Sequence, residues 1–480
     1  MKQNILIFNS ATLWKNQLNG MIEIISKELN RKNNVFILSC DSSLESCPPN
    51  NKKNKLICDL CQRNQYEIYD KFLKSQNRVI KLKYKLKNLK INFSFKNYSQ
   101  FKDYQYDKVP FGMLVSSDLV TFFRDSYLNF FDVKNYAISK LKSSILLYQT
   151  TLKVIKKHNI DVVYSWNGRR GSDGPVLYAA KKLKKKYFSY ISSHEGKLKV
   201  KKLILKKSLT VHDLKSHKED ISKINLKEIF NSYSNIKEYL RNIFNNLSKG
   251  ERSNNDFKTH KYFKKKDYQP LEYQKKKKLI TIFTSTLWEH SSLGKDWFLE
   301  FENRKLNFLE LLNLIINNKK ILKLYDFIIK WHPNHLVSSK NELDKIERFI
   351  VKNNHVKHYR YNQNVSIYDL IDISDNVITV GSTTGIEFSY LNSKKSILVG
   401  PSYSEDLKFV KRCKNFKQLL IALRDKSKLN KMAFLDLSKF IYWNSEMPSS
   451  TNISNYNLPI KSSIIIMIYK LFIKINEKKK

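Results

Sequence analysis

The stretch NVITVGSTTGIEFSYLNSKKSILVG, residues 376–400, decides the fold that we expect for this chain. Residues 377–380 and 396–399 are short runs rich in β-branched and aliphatic side chains, which is the composition of buried strands. The apolar residues between the two runs supply surface for a helix that packs on the sheet. The pattern therefore predicts strand, polar turn, helix and strand, the repeating unit of an α/β fold.

Two glycines in this stretch bracket three hydroxyl side chains, Ser382, Thr383 and Thr384. A turn of this kind lies at a helix N-terminus, beyond the carboxyl end of a parallel strand. Backbone N–H groups and the helix dipole favour an anion there, so we expect the turn to bind phosphate. An alternative description is a capping box, with Thr384 as N-cap and Glu387 three residues later, and this is compatible with a bound ligand.

A second motif lies upstream in YDFIIKWHPNH, residues 325–335. Residues 327–330 predict another strand, and His332-Pro333 follows where that strand ends. Proline stops the strand and fixes the turn, while a histidine at this point can donate a hydrogen bond to a phosphate. A His-Pro pair followed by a hydroxyl turn after a later strand is a more specific signal than either motif alone.

The two motifs together resemble those of the capsule polysaccharide biosynthesis family of bacterial glycosyltransferases. They are also similar to motifs of bacterial polysialyltransferases and CDP-glycerol glycerophosphotransferases. The resemblance covers residues 160–405, and the residues that carry it are His332, Pro333, Ser382, Thr383, Thr384 and Glu387. It implies an α/β fold of the GT-B class: two Rossmann-like domains facing a cleft, with a C-terminal helix that crosses back to the first domain.

The resemblance also implies roles for these residues. His332, Ser382, Thr383 and Thr384 are expected to hold the phosphates of a nucleotide-sugar donor, and Glu387 is expected to bind its ribose hydroxyls. The expected acceptor is a growing capsule or lipopolysaccharide-type polysaccharide, or a lipid-linked precursor. Because no acidic pair of the Asp-x-Asp kind is visible, we expect no metal cofactor in catalysis.

The domain organisation is predicted from strand and helix patterns along the chain. A β-α-β pattern opens it without a dinucleotide-binding Gly-x-Gly-x-x-Gly motif. We predict an N-terminal Rossmann-like, acceptor-side domain at 1–250 and a linker at 251–278. A nucleotide-sugar-binding Rossmann-like domain follows at 279–430, and a helical tail at 431–480.

Catalytic residues are expected in the N-terminal domain, in turns that follow predicted strands. The turn after 160–166 presents Asn167 and Arg169, and a guanidinium group there suits an anionic ligand. The turn after 187–191 contains His194-Glu195-Gly196, which looks like the acidic motif of the related sialyltransferases. By that match Glu195 is the general base for the acceptor hydroxyl. His194 is the alternative base, and it would favour a CDP-glycerol-type polyol-phosphate transferase.

Two further residues of the second domain are candidates by the same resemblance. The predicted strand 279–283 is followed by the turn Thr284-Ser285-Thr286-Leu287-Trp288-Glu289. This turn is similar to one in the capsule family in which polar residues and an acid line the site. Ser285 and Glu289 are therefore secondary site candidates.

Four of the five cysteines, Cys40, Cys47, Cys58 and Cys61, fall within one short segment. In a reducing cytosol disulfides are not expected, and a closing C-x₂-C pair suits tetrahedral zinc. We therefore expect a structural zinc site, with free thiols in a loop as the alternative reading. A catalytic zinc is disfavoured because four thiolates leave no open coordination position.

The charge balance restricts the partners. The 480 residues include 88 Lys and Arg against 43 Asp and Glu, a net charge of +45. This favours anionic partners such as phosphorylated substrates, an anionic membrane surface or nucleic acid. A nucleic-acid-binding protein is the non-enzymatic alternative. The lysines are dispersed, however, and no nucleic-acid-binding motif is visible, so no nucleic acid is expected as a partner.

The ends of the chain bear on localisation. No secretory signal and no apolar run of membrane-spanning length is visible, so we expect a cytoplasmic protein. The tail 462–480 combines apolar and basic residues. It is predicted either to cross back onto the first domain or to lie on the inner membrane surface, and we favour the second.

Overall fold

Parallel β-sheets flanked by helices form the architecture in the computed structural model of this chain. The structure describes all residues except 1, 11, 41, 45, 51, 74–78, 83–92, 193–201, 226, 228–270, 272, 275, 447–450, 454–457 and 479–480. The chain divides into two compact units. The N-terminal unit comprises Met1–Phe122, Leu128–Asp213 and Ser449–Lys480, and the C-terminal unit comprises Phe123–Tyr127 and Leu214–Pro448.

The strands of the described residues, in chain order, are β1 Asn4–Phe8, β2 Asn34–Cys40, β3 Val79–Leu82, β4 Val162–Trp166, β5 Lys186–Ser192, β6 Lys202–Lys206, β7 Lys278–Phe283, β8 Leu299–Phe301, β9 Arg304–Leu306, β10 Tyr325–Lys330, β11 Lys357–Tyr359, β12 Asn376–Thr379, β13 Ser396–Leu398, β14 Val410–Arg412 and β15 Thr451–Asn452.

The helices are α1 Lys15–Asn30, α2 Lys55–Leu73, α3 Tyr98–Lys102, α4 Phe111–Phe123, α5 Phe130–Lys157, α6 Gly174–Lys182, α7 Leu214–Ser222, α8 Leu287–Ser291, α9 Phe308–Ile316, α10 Lys319–Leu322, α11 Lys340–Lys352, α12 Ile367–Ile373, α13 Thr384–Asn392, α14 Phe416–Arg424, α15 Lys431–Glu446 and α16 Ile460–Lys478. None of the helices in the described part of the chain is both long and apolar enough to cross a membrane.

The N-terminal unit is built on a seven-stranded sheet in the order β15-β6-β5-β4-β1-β2-β3. The pairs from β5 to β3 are parallel, and β6 and β15 add two antiparallel strands at the edge. Its central strands read ILIF in β1 and VVYSW in β4, and both are almost completely buried. Continuous burial is expected of parallel strands with helices on both faces.

The C-terminal unit is built on a six-stranded, fully parallel sheet in the order β11-β10-β7-β12-β13-β14. The chain starts at the central strand β7, moves outward through β10 and β11, and returns to β12 on the other side of β7. This is the doubly wound, Rossmann-like strand order. The two Rossmann-like units and the α/β class that the sequence predicts are therefore present.

The last helix belongs to the N-terminal unit, as the predicted crossing back requires. Tyr469 of α16 donates to Pro49 O at 3.2 Å and accepts from Trp14 Nε1 at 3.3 Å. Ser462 donates to Asn64 Oδ1 of α2, and Lys461 forms an ion pair with Glu67 at 3.8 Å. These contacts attach α16 to α2 and to the loops after β1 and β2.

The unit boundaries differ from the predicted domain limits in two places. Helix α7 lies in the C-terminal unit, although the predicted first domain runs to 250, because His217 packs on Tyr403 and Trp443 with ring centroids 4.4 and 5.2 Å apart. The predicted tail 431–480 is divided: α15 belongs to the C-terminal unit and α16 to the N-terminal one. The predicted linker 251–278 lies almost entirely outside the described residues.

Candidate functional site

Three polar turns meet at the carboxyl edge of the C-terminal sheet. They follow β7, β10 and β12, which are adjacent strands with β7 in the middle. The strand order reverses between β7 and β12, and ligands of doubly wound sheets bind at the carboxyl ends of the strands beside such a switch point. The sequence predicts each turn separately, and the sheet order places all three at this point.

Hydrogen bonds join the turn after β7 to the other two. The Ser285 hydroxyl donates to Val380 O in the turn after β12. On the other side, the Thr284 hydroxyl accepts from the backbone N–H of His332 at 2.9 Å, and Thr286 Oγ1 lies 3.1 Å from His332 Nδ1. The hydroxyl-rich sequence after β7 therefore holds the flanking turns in position.

The tautomer of His332 follows from its hydrogen bonds. Its Nδ1 accepts from the backbone N–H of Asn334 at 3.1 Å. A backbone N–H can only donate, so Nδ1 carries no proton in the neutral ring, and the proton is on Nε2. Pro333 lies at the first position of the short 3₁₀ helix Pro333–Val337 and fixes the turn. The His-Pro motif thus presents an N–H donor at the ring edge opposite to the backbone.

The turn after β12 leads directly into α13. Gly381 has a φ of +69°, a conformation that side chains other than glycine rarely adopt. The Ser382 hydroxyl accepts from Thr384 N at 3.3 Å and donates to Thr384 Oγ1 at 3.1 Å. The N-cap is Thr383, which makes no side-chain cap hydrogen bond. The capping box with Thr384 as N-cap is therefore wrong, because the helix starts at Thr384 itself.

The two glutamate candidates of this unit have different surroundings. Glu289 accepts from Asn334 Nδ2, at 3.2 Å for Oε1 and 3.3 Å for Oε2. It is thereby linked to the His332 turn. Glu387, in the first turn of α13, accepts from the Tyr368 hydroxyl at 3.4 Å. Both carboxylates lie on short helices that follow strands at the switch point.

A further histidine of this site was missed in the sequence. His290 lies in α8 and is only 8% exposed. Burial and the positive charge of Arg412 lower its pKa to about 4, so the ring is neutral at physiological pH. Its Cδ2 is 4.0 Å from the position that a Cβ on Gly381 would take. Its Nε2 has no hydrogen-bond partner among the described residues. His290 follows Ser285 closely in the sequence, in the short helix that continues the turn after β7, and this position was the available signal.

In the N-terminal unit, Asn167 begins the turn after β4, beside the corresponding switch point between β1 and β4. It adopts a φ of +61°, and its backbone N–H donates to Tyr190 O at 2.8 Å. Its side-chain Oδ1 is buried, with no hydrogen-bond partner within the described part of the chain. Arg169 follows in the same turn, and the guanidinium of the next residue, Arg170, lies over the Trp166 ring at 5.2 Å.

The same turn ends at a buried carboxyl group that the sequence analysis did not select. Asp173 has no exposed surface, and burial together with the nearby Asp118 raises its pKa to about 8. Its Oδ1 accepts from Arg170 N at 3.2 Å. Lys140 of α5, which is 2% exposed, also belongs to this group of buried charges through its electrostatic contacts with Asp118 and Arg170. Such a carboxyl is invisible in sequence because its burial depends on α4 and α5.

The two catalytic candidates of the N-terminal unit, His194 and Glu195, lie outside the described residues. Their roles therefore stay predictions from the sequence motif.

The four clustered cysteines line one cavity of about 30 Å³. Cys40 ends β2, Cys47 lies in the loop after it, and Cys58 and Cys61 are on α2. The Asn50 amide donates to Cys58 Sγ at 3.1 Å. Cys61 Sγ accepts from the Gln65 amide at 3.3 Å and lies 3.1 Å from Thr12 Oγ1.

Burial raises the pKa of Cys61 to about 11 and that of Cys47 well above its usual value, so both thiols are protonated at neutral pH. Within the described part of the chain, no group of three or more His, Cys, Asp or Glu side chains is arranged to hold a metal ion. The structural zinc site stays a prediction.

Several solved structures are similar to this chain in fold. KpsC of Thermosulfurimonas dismutans, a beta Kdo 2,4 transferase, is 14% identical and matches over 64% of this chain and 87% of its own, with a TM-score of 0.38. The UDP-GlcNAc 2-epimerase of Methanocaldococcus jannaschii, in complex with UDP-GlcNAc and UDP, is 10% identical over 93% of this chain and 100% of its own, with a TM-score of 0.26. The glycosyltransferase SsfS6 of Streptomyces sp. SF2575, complexed with thymidine diphosphate, is 8% identical over 98% and 99%, with a TM-score of 0.22.

No protein-family model and no curated protein sequence matches the chain. Because the identities and TM-scores of the structural neighbours are low, the function has to be inferred from the geometry of the site.

Proposed function

We propose that this protein is a glycosyltransferase of the GT-B type that transfers a sugar from a nucleotide-activated donor to a growing bacterial surface polysaccharide. The observation that supports the proposal is the set of hydrogen-bond donors at the switch point of the C-terminal sheet. There, a histidine whose proton is on Nε2 shares one edge of the sheet with a hydroxyl turn and a helix N-terminus. Hydrogen-bond donors of this kind bind phosphate groups although they carry no net charge themselves.

In this proposal His332 donates from Nε2 to a phosphate oxygen of the donor. The hydroxyls of Ser382 and Thr383 and the N-terminus of α13 bind further phosphate oxygens. These groups stabilise the negative charge that develops on the leaving nucleotide, which is where preorganised donors accelerate a transfer most. The carboxylate of Glu387 accepts hydrogen bonds from the ribose hydroxyls. Ser285 and Glu289 keep the turn after β7 hydrogen-bonded to the turns after β12 and β10.

The acceptor-side roles rest on the sequence motif. We assign Glu195 as the general base that removes the proton of the acceptor hydroxyl, with Asn167 and Arg169 as further contacts in the same unit. The expected acceptor is a polysaccharide or its lipid-linked precursor, in the cytoplasm. No metal cofactor is assigned, because phosphate binding is given to hydrogen-bond donors and the chain has no Asp-x-Asp pair.

A CDP-glycerol-type polyol-phosphate transferase is the second candidate. Its donor also carries a pyrophosphate, so the site formed by His332 and the hydroxyl turn suits it equally well. The two candidates differ in the group that is transferred and in the base, which would be His194 in the second. The identity of the bound nucleotide and of its substituent separates them.

The test is a binding screen by thermal shift and calorimetry with CMP, CDP, UDP, GDP and their sugar and glycerol derivatives. His332→Ala should weaken the best ligand by about 1.5–3 kcal/mol, the contribution of one charge-assisted hydrogen bond. Ser382→Ala combined with Thr383→Ala should weaken it by a similar amount.

The matched control is His355→Ala, which makes the same substitution at an exposed histidine before β11. This position is at the opposite, amino-terminal edge of the sheet, so the control should bind as the wild type does. Unchanged nucleotide affinity in both site variants would refute the assignment of the donor site.

A further inference from the structure

The C-terminal helix α16 has two apolar faces. One face is buried on the N-terminal unit and consists of Ser462, Ile465, Ile466 and Tyr469. The opposite face consists of large apolar side chains that stay exposed, namely Ile460 at 81%, Ile464 at 45%, Met467 at 63%, Ile468 at 42% and Leu471 at 58%. We call these five residues the outer stripe.

The outer stripe is continuous from Ile460 to Leu471. Its members are spaced by three or four residues, so at about 100° per residue they fall within an arc of roughly 100°. A single exposed apolar residue is ordinary on a protein surface, whereas five aligned ones mark a surface that contacts a partner.

The helix is held in a fixed orientation, so the outer stripe faces away from the unit. The hydrogen bonds of Tyr469 with Trp14 and Pro49, and that of Ser462 with Asn64, all lie on the buried face. Rotating α16 to bury the outer stripe would break each of them. Covering the stripe therefore requires something outside the unit.

Positive charges lie on both sides of the outer stripe. Lys461, which is exposed although its ammonium group lies 3.8 Å from Glu67, is beyond one edge, and the exposed Lys470 is beyond the other. An apolar stripe bordered by lysines is the pattern of helices that lie in the interface of an anionic bilayer. There the apolar side chains reach the acyl region and the ammonium groups stay among the lipid phosphates.

We propose that the outer stripe of α16 is a docking surface for the anionic face of a lipid bilayer. The helix would lie on the membrane rather than cross it, in keeping with the absence of a spanning helix among the described residues. The net charge of +45 favours this occupant over a second copy of the chain, because two such copies repel each other. The inference does not depend on the proposed transferase activity.

The experiment is co-sedimentation of the full chain with vesicles. One set contains phosphatidylcholine alone, and the other contains equal parts of phosphatidylcholine and phosphatidylglycerol. The wild type should bind the second set at least about tenfold more tightly. The double variant Met467→Glu with Leu471→Glu should lose at least about tenfold of that affinity.

The matched control is Val351→Glu with Ile421→Glu. It adds the same two charges at apolar residues of the C-terminal unit that are 69% and 62% exposed. This control should bind vesicles as the wild type does. Circular dichroism should show both variants folded, because every substituted side chain is exposed.

Three outcomes would overturn the proposal: a wild type that does not prefer the anionic vesicles, an α16 variant that binds as tightly as the wild type, or a control that loses as much affinity as the α16 variant. The proposal would also be overturned if the wild type did not bind vesicles but formed a dimer, and if the α16 variant did not form this dimer. In that case the outer stripe would be an interface between copies.

Discussion

The two sheets have the same strand order around their first strand, but the side chains at their carboxyl edges differ in exposure and charge. In the C-terminal unit, the turn after β12 is accessible, and Thr383 is exposed. In the N-terminal unit, the turn after β4 is packed under α4 and α5, with Asn167 and Asp173 buried. The same topology thus supports an accessible turn of hydroxyl side chains in one unit and a buried group of ionisable side chains in the other.

This difference has a physical consequence for ligand binding. Neutral hydroxyls, a neutral histidine and a helix N-terminus can receive an anion without first losing a partner of their own charge. A ligand anion placed beside the buried carboxyl of Asp173 would meet a side chain that is costly to ionise, because burial disfavours its charged form. This difference supports the proposal that the phosphate site lies in the C-terminal unit and that the N-terminal unit acts on the acceptor.

The largest expected effect concerns catalysis in the N-terminal unit. Glu195→Gln keeps the shape of the side chain and removes its basicity, so turnover should fall by a factor on the order of 10²–10⁴. Donor affinity, assigned to the other unit, should be unchanged. Steady-state kinetics and calorimetry on the same preparation check both statements.

The comparison variant is His194→Ala, measured in the same assay. If it is inactive while Glu195→Gln stays active, the base is His194 and the polyol-phosphate transferase takes the place of the glycosyltransferase.

The second prediction compares the glycines of the two turns. Gly168 has a φ of +81°, and a Cβ there would lie 2.1 Å from Leu209 O, so Gly168→Ala should destabilise the protein by about 3 kcal/mol or more. Gly381 has a φ of +69° and no atom closer than 3.5 Å to such a Cβ, so Gly381→Ala should cost only about 1–2 kcal/mol. Chemical denaturation measures both.

Equal losses of stability in the two glycine variants would mean that the turns are not packed differently. A loss of nucleotide affinity in Gly381→Ala but not in Gly168→Ala would support the proposed donor site, since only the turn at Gly381 is proposed to bind the donor.

The third prediction is a pH dependence that comes from the buried group of ionisable side chains. The pKa of Asp173 is raised to about 8 in the folded state by burial and by Asp118, against 3.8 for the ordinary group. The folded state therefore binds this proton more tightly than the unfolded chain does. The contribution to stability is complete below pH 4 and is lost as pH rises towards 8.

Asp173→Asn mimics the protonated carboxyl, so it should flatten the loss of stability between pH 5 and pH 9. Asp132→Asn, at an exposed position in the first turn of α5, is the matched control and should leave the profile unchanged. Thermal unfolding across this range measures the effect, and parallel profiles for wild type and Asp173→Asn would contradict the prediction.

The smallest effect on the donor site is expected from metal removal. If the cavity lined by the four cysteines holds structural zinc, protein made with zinc supplied should carry about one ion per chain. Chelation should then lower the melting temperature and leave nucleotide affinity unchanged, because the cavity is in the other unit. Protein without bound metal, measured by elemental analysis, would leave the cysteines as buried thiols.

Local features of the C-terminal unit could be predicted from the sequence. The stretch 376–400 forms the expected strand, turn, helix and strand. The strand before His332 is also present, at Tyr325–Lys330. Strand composition, turn residues and helix caps act over a few neighbouring residues, so a single sequence contains them.

The tertiary structure alone decided the features that depend on distant segments. The adjacency of β10, β7 and β12 converts three separate turns into one site, and it also places His290 beside Gly381. The raised pKa of Asp173 depends on helices remote in the chain. The sequence predicted that α16 packs either on the first domain or on a membrane. In the structure one face of α16 is buried on the N-terminal unit and the other is exposed. Burial and strand order depend on contacts between residues far apart in the chain, which local residue pattern does not specify.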